Sequence, residues 1–136
     1  MSAAAGRLLV LDASLNRRLA NELKGRGRRA LAAGEIGLGR ATDAELLRGL
    51  ARRYPDEDWV LVTADDYLPA EQADLLGQLG ITVATIEWRM APPASGREQA
   101  ARDACHRWAH AMAAQPAGSI RRYSAERNRA WSPRLR

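Results

Sequence analysis

Trp59-Val60-Leu61-Val62-Thr63-Ala64-Asp65-Asp66-Tyr67-Leu68-Pro69 (WVLVTADDYLP) sets an apolar run directly before two adjacent carboxylates and a proline. A run of strand length with no polar alternation reads as a strand buried on both faces, the condition of a parallel sheet covered by helices. Two like charges side by side at the end of such a strand either form a solvated turn or hold something positive. The flanking sequence bears on both the sheet and the charges.

Upstream, Arg7–Asp12 (RLLVLD) is a second apolar run that ends in a carboxylate. Leu15, Leu19 and Leu23 follow at i, i+4 and i+8, one stripe of an amphipathic helix with Ser14 as its N-cap and Gly25 and Gly27 closing it. Arg29–Ala33 (RALAA) reads as a short strand, and Gly34, Gly37 and Gly39 as a flexible loop. Thr42-Asp43-Ala44-Glu45 is a capping box, opening a helix through Leu46, Leu47 and Leu50 to about Tyr54. Downstream, Ala70–Leu79 reads as a helix ended by Gly80, and Ile81–Ile86 (ITVATI) as a β-branched strand. Pro92 and Pro93 break the chain, and Ser95 with Glu98 forms another capping box before a helix to about Ala114. Strands alternating with helices predict right-handed βαβ units: an α/β chain, a three-layer α/β/α sandwich with a mostly parallel sheet.

Composition bounds the reading. A chain of 136 residues can bury its own core, and 46% hydrophobic with 27% charged residues is a globular balance. No apolar stretch is long enough to span a bilayer, and the N-terminal segment reads as an unstructured start rather than a signal peptide. Cys105, the single cysteine, excludes an internal disulfide and fits a cytoplasmic location. The net charge of +5 is uneven: residues 116–136 carry six arginines and only Glu126, whereas residues 1–115 carry 15 basic and 15 acidic groups. The expected organisation is a core over 1–92, a helix over 93–115 packing on the core or a partner, and a basic tail over 116–136, either flexible or used for contact. Arg121 and Arg122 in that tail, with Trp131 among its arginines, suit contact with RNA or with a protein.

In open parallel sheets, ligands bind beyond the carboxyl ends of the strands. Asp12 and the Asp65–Asp66 pair stand at those ends, and Asp43 opens a helix whose N-terminus belongs on the same edge. Carboxylates drawn together repel unless a cation neutralises them, and an oxygen-only set suits Mg²⁺ or Mn²⁺. Each residue also has a plainer use. Asp12 can cap a helix, Asp43 suits the helix dipole, and Asp66 can be a turn residue. Arg17 and Arg18 lie near the acidic edge, where they can meet phosphates or simply face water. His106 and His110 share a helix face at a zinc-compatible spacing. No glutamate lies between them, the chain has no other histidine, and the apolar stripe through Ala101, Cys105, Trp108 and Met112 leaves them facing solvent.

Taken in order, LLVLDASLNRRLA, GLGRATDAELLRGLA and WVLVTADDYLP resemble the PIN-like nucleases, particularly the branch close to VapC-type toxins of toxin–antitoxin pairs, over roughly residues 7–90. The resemblance implies a metal-dependent endoribonuclease with Asp12, Asp43 and Asp65 as metal-binding acids. It further implies Thr63 as a supporting hydroxyl, an antitoxin as partner and, as is usual in the family, a dimer. Where relatives carry an acid and an asparagine after the first Asp, this chain has Ala13 and Ser14. Ser14 then stands as a supporting group. The position of a fourth acid is Tyr67, with Asp66 the adjacent substitute. These departures motivate an alternative: an inactive PIN-like module that binds RNA or protein through its tail. A phosphoacceptor receiver is set aside because its acidic pair belongs after the first strand. A haloacid-dehalogenase-type phosphatase is set aside because Asp12 lacks the following Asp-x-Asp partner.

Overall fold

The structure is a computed structural model and describes residues 6–56, 58–87 and 94–133. Among the described residues, six strands form one sheet: β1 (Leu8–Leu11), β2 (Ala30–Ala32), β3 (Trp59–Thr63), β4 (Val83–Ile86), β5 (Ile120–Tyr123) and β6 (Asn128–Ala130). Their order is β2-β1-β3-β4-β5-β6, parallel throughout except for β6, which runs antiparallel to β5. The helices are α1 (Arg17–Gly25), α2 (Asp43–Arg53), α3 (Leu68–Glu71), α4 (Ala73–Leu79) and α5 (Ala94–Ala113).

Period-two alternation along the strands divides the core in two. Leu9, Leu11, Val60, Val62, Ala84 and Ile86 point to one face, against α1 and the Ala104–Cys105–Ala109–Met112 side of α5. Val10, Leu61 and Val83 point to the other, against Leu46, Leu47 and Leu50 of α2, Leu68 of α3 and Leu75 and Leu76 of α4. A sheet covered on both faces explains why the central strands read as unbroken apolar runs. The result is an α/β protein of three layers.

Several expectations are revised. The helix read from Ala70 starts at Leu68, where Pro69 suits a first turn that needs no amide hydrogen, and breaks at Gln72 into α3 and α4. Ser14 is not the cap of α1; Asn16 is, its side chain accepting from the Arg18 amide at 2.8 Å. The glycine-rich loop begins with a 3₁₀ turn, Ala33–Ile36, in which Glu35 reaches back to the Ala32 amide at 2.7 Å. Ser95 falls inside α5, already under way at Ala94, and its side chain lies outside the described residues, as do the N-terminal start at 1–5 and Trp88. The units also do not share one hand. Helix α5 covers the same face as α1, yet β4 to β5 steps along the sheet in the opposite direction from β1 to β2, so these two connections have opposite hands.

The largest revision is the tail. Residues 120–130 form the β5–β6 hairpin at the edge of the sheet, with Ser124 closing the turn onto the amides of Glu126 and Arg127. Tyr123 is fully buried and its hydroxyl donates to Gln115 Oε1 at 2.8 Å. The segment from Gly118 to Ala130 is therefore continuous with the fold, and the core does not stop at residue 92.

Candidate metal centre

The connections reverse direction between β1 and β3: the chain leaves β1 toward β2 on one side and leaves β3 toward β4 on the other. Such a switch point opens a crevice beyond the strand ends. The residues emerging there are Asp12 from β1 and Thr63, Ala64 and Asp65 from β3. Asp43, in the first turn of α2, and Glu71, at the end of α3, approach the same edge. One carboxylate oxygen from each of Asp43, Asp65 and Glu71 lies within 4.8 Å of the others. About 2.0–2.1 Å separates Mg²⁺ from its ligands, which puts opposite oxygens of an octahedral shell roughly 4.2 Å apart. Three oxygens within 4.8 Å of one another are close enough to share one such cation.

The chain prepares Asp65 in detail. Its amide donates to Thr63 Oγ1 at 3.0 Å, and its Oδ1 accepts from the Tyr67 amide at 3.0 Å. The first contact fixes the backbone and the second orients the carboxylate, leaving its other lone pairs unused by these bonds. Asp43 sits close enough to its neighbours to feel them. Partial burial first, then the charges of Asp65 and Glu71, hold its carboxyl above the usual carboxylate range. Such mutual repulsion is the chemistry of a donor set that a divalent cation would relieve.

Asp12, read as a ligand, stands outside this cluster. It is 7% exposed, and burial is the main reason its carboxyl is pushed up, with Asp43's charge a smaller contribution in the same direction. Its Oδ1 accepts from both the amide and the hydroxyl of Ser14, while Ser14 Oγ accepts from the Ala64 amide at 2.9 Å. Ser14 thus ties the end of β1 to the end of β3. Asp66, read as either a ligand or a turn residue, is not part of this group. Its two oxygens accept from Arg122 Nε and Nη2 at 2.9 and 3.0 Å. Arg122, read as an RNA contact, is 3% exposed and committed to that pair. Arg121 donates to Asn128 Oδ1 at 2.9 Å across the hairpin, whereas Arg17 and Arg18 are exposed on the first turn of α1. His106 does not face solvent. Its Nε2 lies 2.8 Å from Glu22 Oε1 between α5 and α1, and this contact is the main cause holding Glu22's carboxyl below its usual range. Burial pushes the Cys105 thiol up to about 12, leaving it inert.

Glu71 is the site residue missed from the sequence. The expected place for a further acid was Tyr67; Glu71 lies one helical turn beyond, its amide donating to the Tyr67 carbonyl at 3.0 Å. The signal was Pro69, which marks a helix beginning directly after the acidic pair.

Beside Asp65, a cleft of about 780 Å³ runs between α1 and α5, its charged lining made of Asp65, Asp66, Glu87, Glu98, Arg97 and Arg102. Fold and site together define an α/β protein with an acidic group at its switch point that could bind a metal ion. No protein-family model, curated protein or solved structure matches the chain. Among the described residues, no helix is long and apolar enough to cross a membrane.

Asp12 supplies a test of burial. A raised carboxyl contributes stability that is complete below the ordinary value near 3.9 and is lost as pH rises through the folded-state value. Asp12→Asn should therefore melt a few degrees higher than the unmodified chain at neutral pH without divalent cation, and the gap should close on acidification. Thermal melts between about pH 4 and 7.5 read it; a gap that widens on acidification contradicts the assignment.

Proposed function

We propose that this chain is a Mg²⁺- or Mn²⁺-dependent endoribonuclease, and that it acts as the toxin of a toxin–antitoxin pair. The observation that carries the nuclease reading is the approach of Asp43, Asp65 and Glu71 to within 4.8 Å at the switch point of a parallel sheet. The toxin role and the antitoxin partner are supported by the resemblance of the three quoted stretches.

Asp43, Asp65 and Glu71 would hold the cation, with Thr63 and the Tyr67 amide orienting Asp65. Charge stabilisation at the scissile phosphodiester is what a bound divalent cation supplies. Asp12, buried at the end of β1 with its Oδ1 held by Ser14, would support the site from outside the cluster rather than bind the cation. Arg17 and Arg18, exposed on the first turn of α1, would meet phosphates of the RNA.

The experiment is cleavage of single-stranded RNA by the purified chain in Mn²⁺ or in EDTA, with Mn²⁺ titrated by calorimetry in parallel. Cleavage in Mn²⁺ alone is expected, with saturable binding. Binding without cleavage would remove the nuclease reading and leave a cation site. A missing binding signal would remove both.

A further inference from the structure

Asp66 is held from two directions by the hairpin. Arg122 on β5 grips both of its carboxylate oxygens, at 2.9 and 3.0 Å, and a two-pronged contact of this kind fixes orientation as well as position. The same guanidinium donates to the Ser132 carbonyl at 2.7 Å and lies 5.8 Å from the centre of the Trp131 ring. Trp131 in turn donates its indole N–H to the backbone carbonyl of Asp66 at 3.3 Å. Asp66 is therefore anchored at its backbone and its side chain by groups 56 and 65 residues further along the chain.

On either side of this anchor lie two members of the acidic cluster. Asp65 precedes it, with its amide on Thr63 and one oxygen on the Tyr67 amide. Glu71 follows on α3, whose first residue, Leu68, donates to the Asp65 carbonyl at 3.3 Å. A turn that carries Asp66 unpaired would offer two adjacent carboxylates to one cation, and they would compete and repel. With Asp66 neutralised and drawn toward β5, Asp65 is the one left facing Asp43 and Glu71.

We propose that Arg122 and Trp131 are positioning residues of the cation site, setting the placement of Asp65 and Glu71 by holding Asp66. This rests on the cation reading above. The carboxyl-terminal hairpin is then part of the site rather than an appendage to it.

The test is Mn²⁺ calorimetry on the full chain and on Arg122→Lys, Trp131→Phe and Asp65→Asn, each with a thermal melt. Lysine keeps the charge but lacks the planar fork, and phenylalanine keeps the ring but lacks the N–H donor. Both variants are expected to remain folded at the titration temperature and to bind Mn²⁺ about tenfold or more weakly, the range found for groups that orient metal ligands. If Arg122→Lys fails to fold, Trp131→Phe decides. Lower melting temperatures with unchanged Mn²⁺ affinity, while Asp65→Asn loses binding, would make the pair a structural staple and overturn the proposal alone. Absence of binding by the unmodified chain would overturn the cation reading, and this proposal with it.

Discussion

On the proposed nuclease reading, Asp65→Asn should lower cation-dependent RNA cleavage by more than about a hundredfold at fixed Mn²⁺ while leaving the melting curve nearly unchanged. Groups that only orient a metal ligand are worth about ten- to a hundredfold, so loss of a ligand's charge should exceed that range. Asparagine keeps the shape of the side chain and an oxygen that can accept from the Tyr67 amide, so the turn after β3 has no reason to rearrange. What disappears is one negative charge from the group formed with Asp43 and Glu71. Initial rates on a labelled single-stranded RNA measure the effect, with Glu126→Gln as reference because Glu126 is exposed in the hairpin turn. A cleavage rate retained in Asp65→Asn would show that the chemistry resides elsewhere.

The parts of this fold that can be read in the residues are those whose local signals agree. The apolar runs of β1 and β3 need burial on both faces, and that requirement implies helices above and below them. Thr42 and Glu45 satisfy each other's amides, at 3.2 and 2.8 Å, so the start of α2 is encoded within four residues. Asp43 and Asp65 follow from these two facts, because strand ends and helix starts share one edge of a parallel sheet. The hairpin could not be read the same way. Its strands carry Arg121, Arg122 and Arg129, and its turn has neither Gly nor Asn to announce it. Arg122 tolerates burial because Asp66 lies opposite, a pairing that depends on β5 lying beside β4 with Arg122 level with Thr85. Such long-range pairing leaves no periodicity in the local sequence. Whether Asp66 was a ligand or a turn residue stayed open for the same reason: its partner lies 56 residues away.

Asp66→Leu should destabilise the fold by about 3–5 kcal/mol, because it strands a guanidinium that is 3% exposed. Without the carboxylate, Arg122 keeps the Ser132 carbonyl and the Trp131 ring, which cannot replace a charge partner. Exposed ion pairs are typically worth only about 0–1 kcal/mol, so urea unfolding separates the two situations clearly. The double variant Asp66→Leu with Arg122→Met should recover most of the loss, since replacing both members of a buried pair by apolar groups is often neutral. A single-variant cost at the level of an exposed pair would show that the ion pair is hydrated in solution. The double variant also separates two roles that Arg122 combines. Its stability should return, but its Mn²⁺ affinity should stay weakened, because two apolar side chains in contact fix no direction for the turn that carries Asp65.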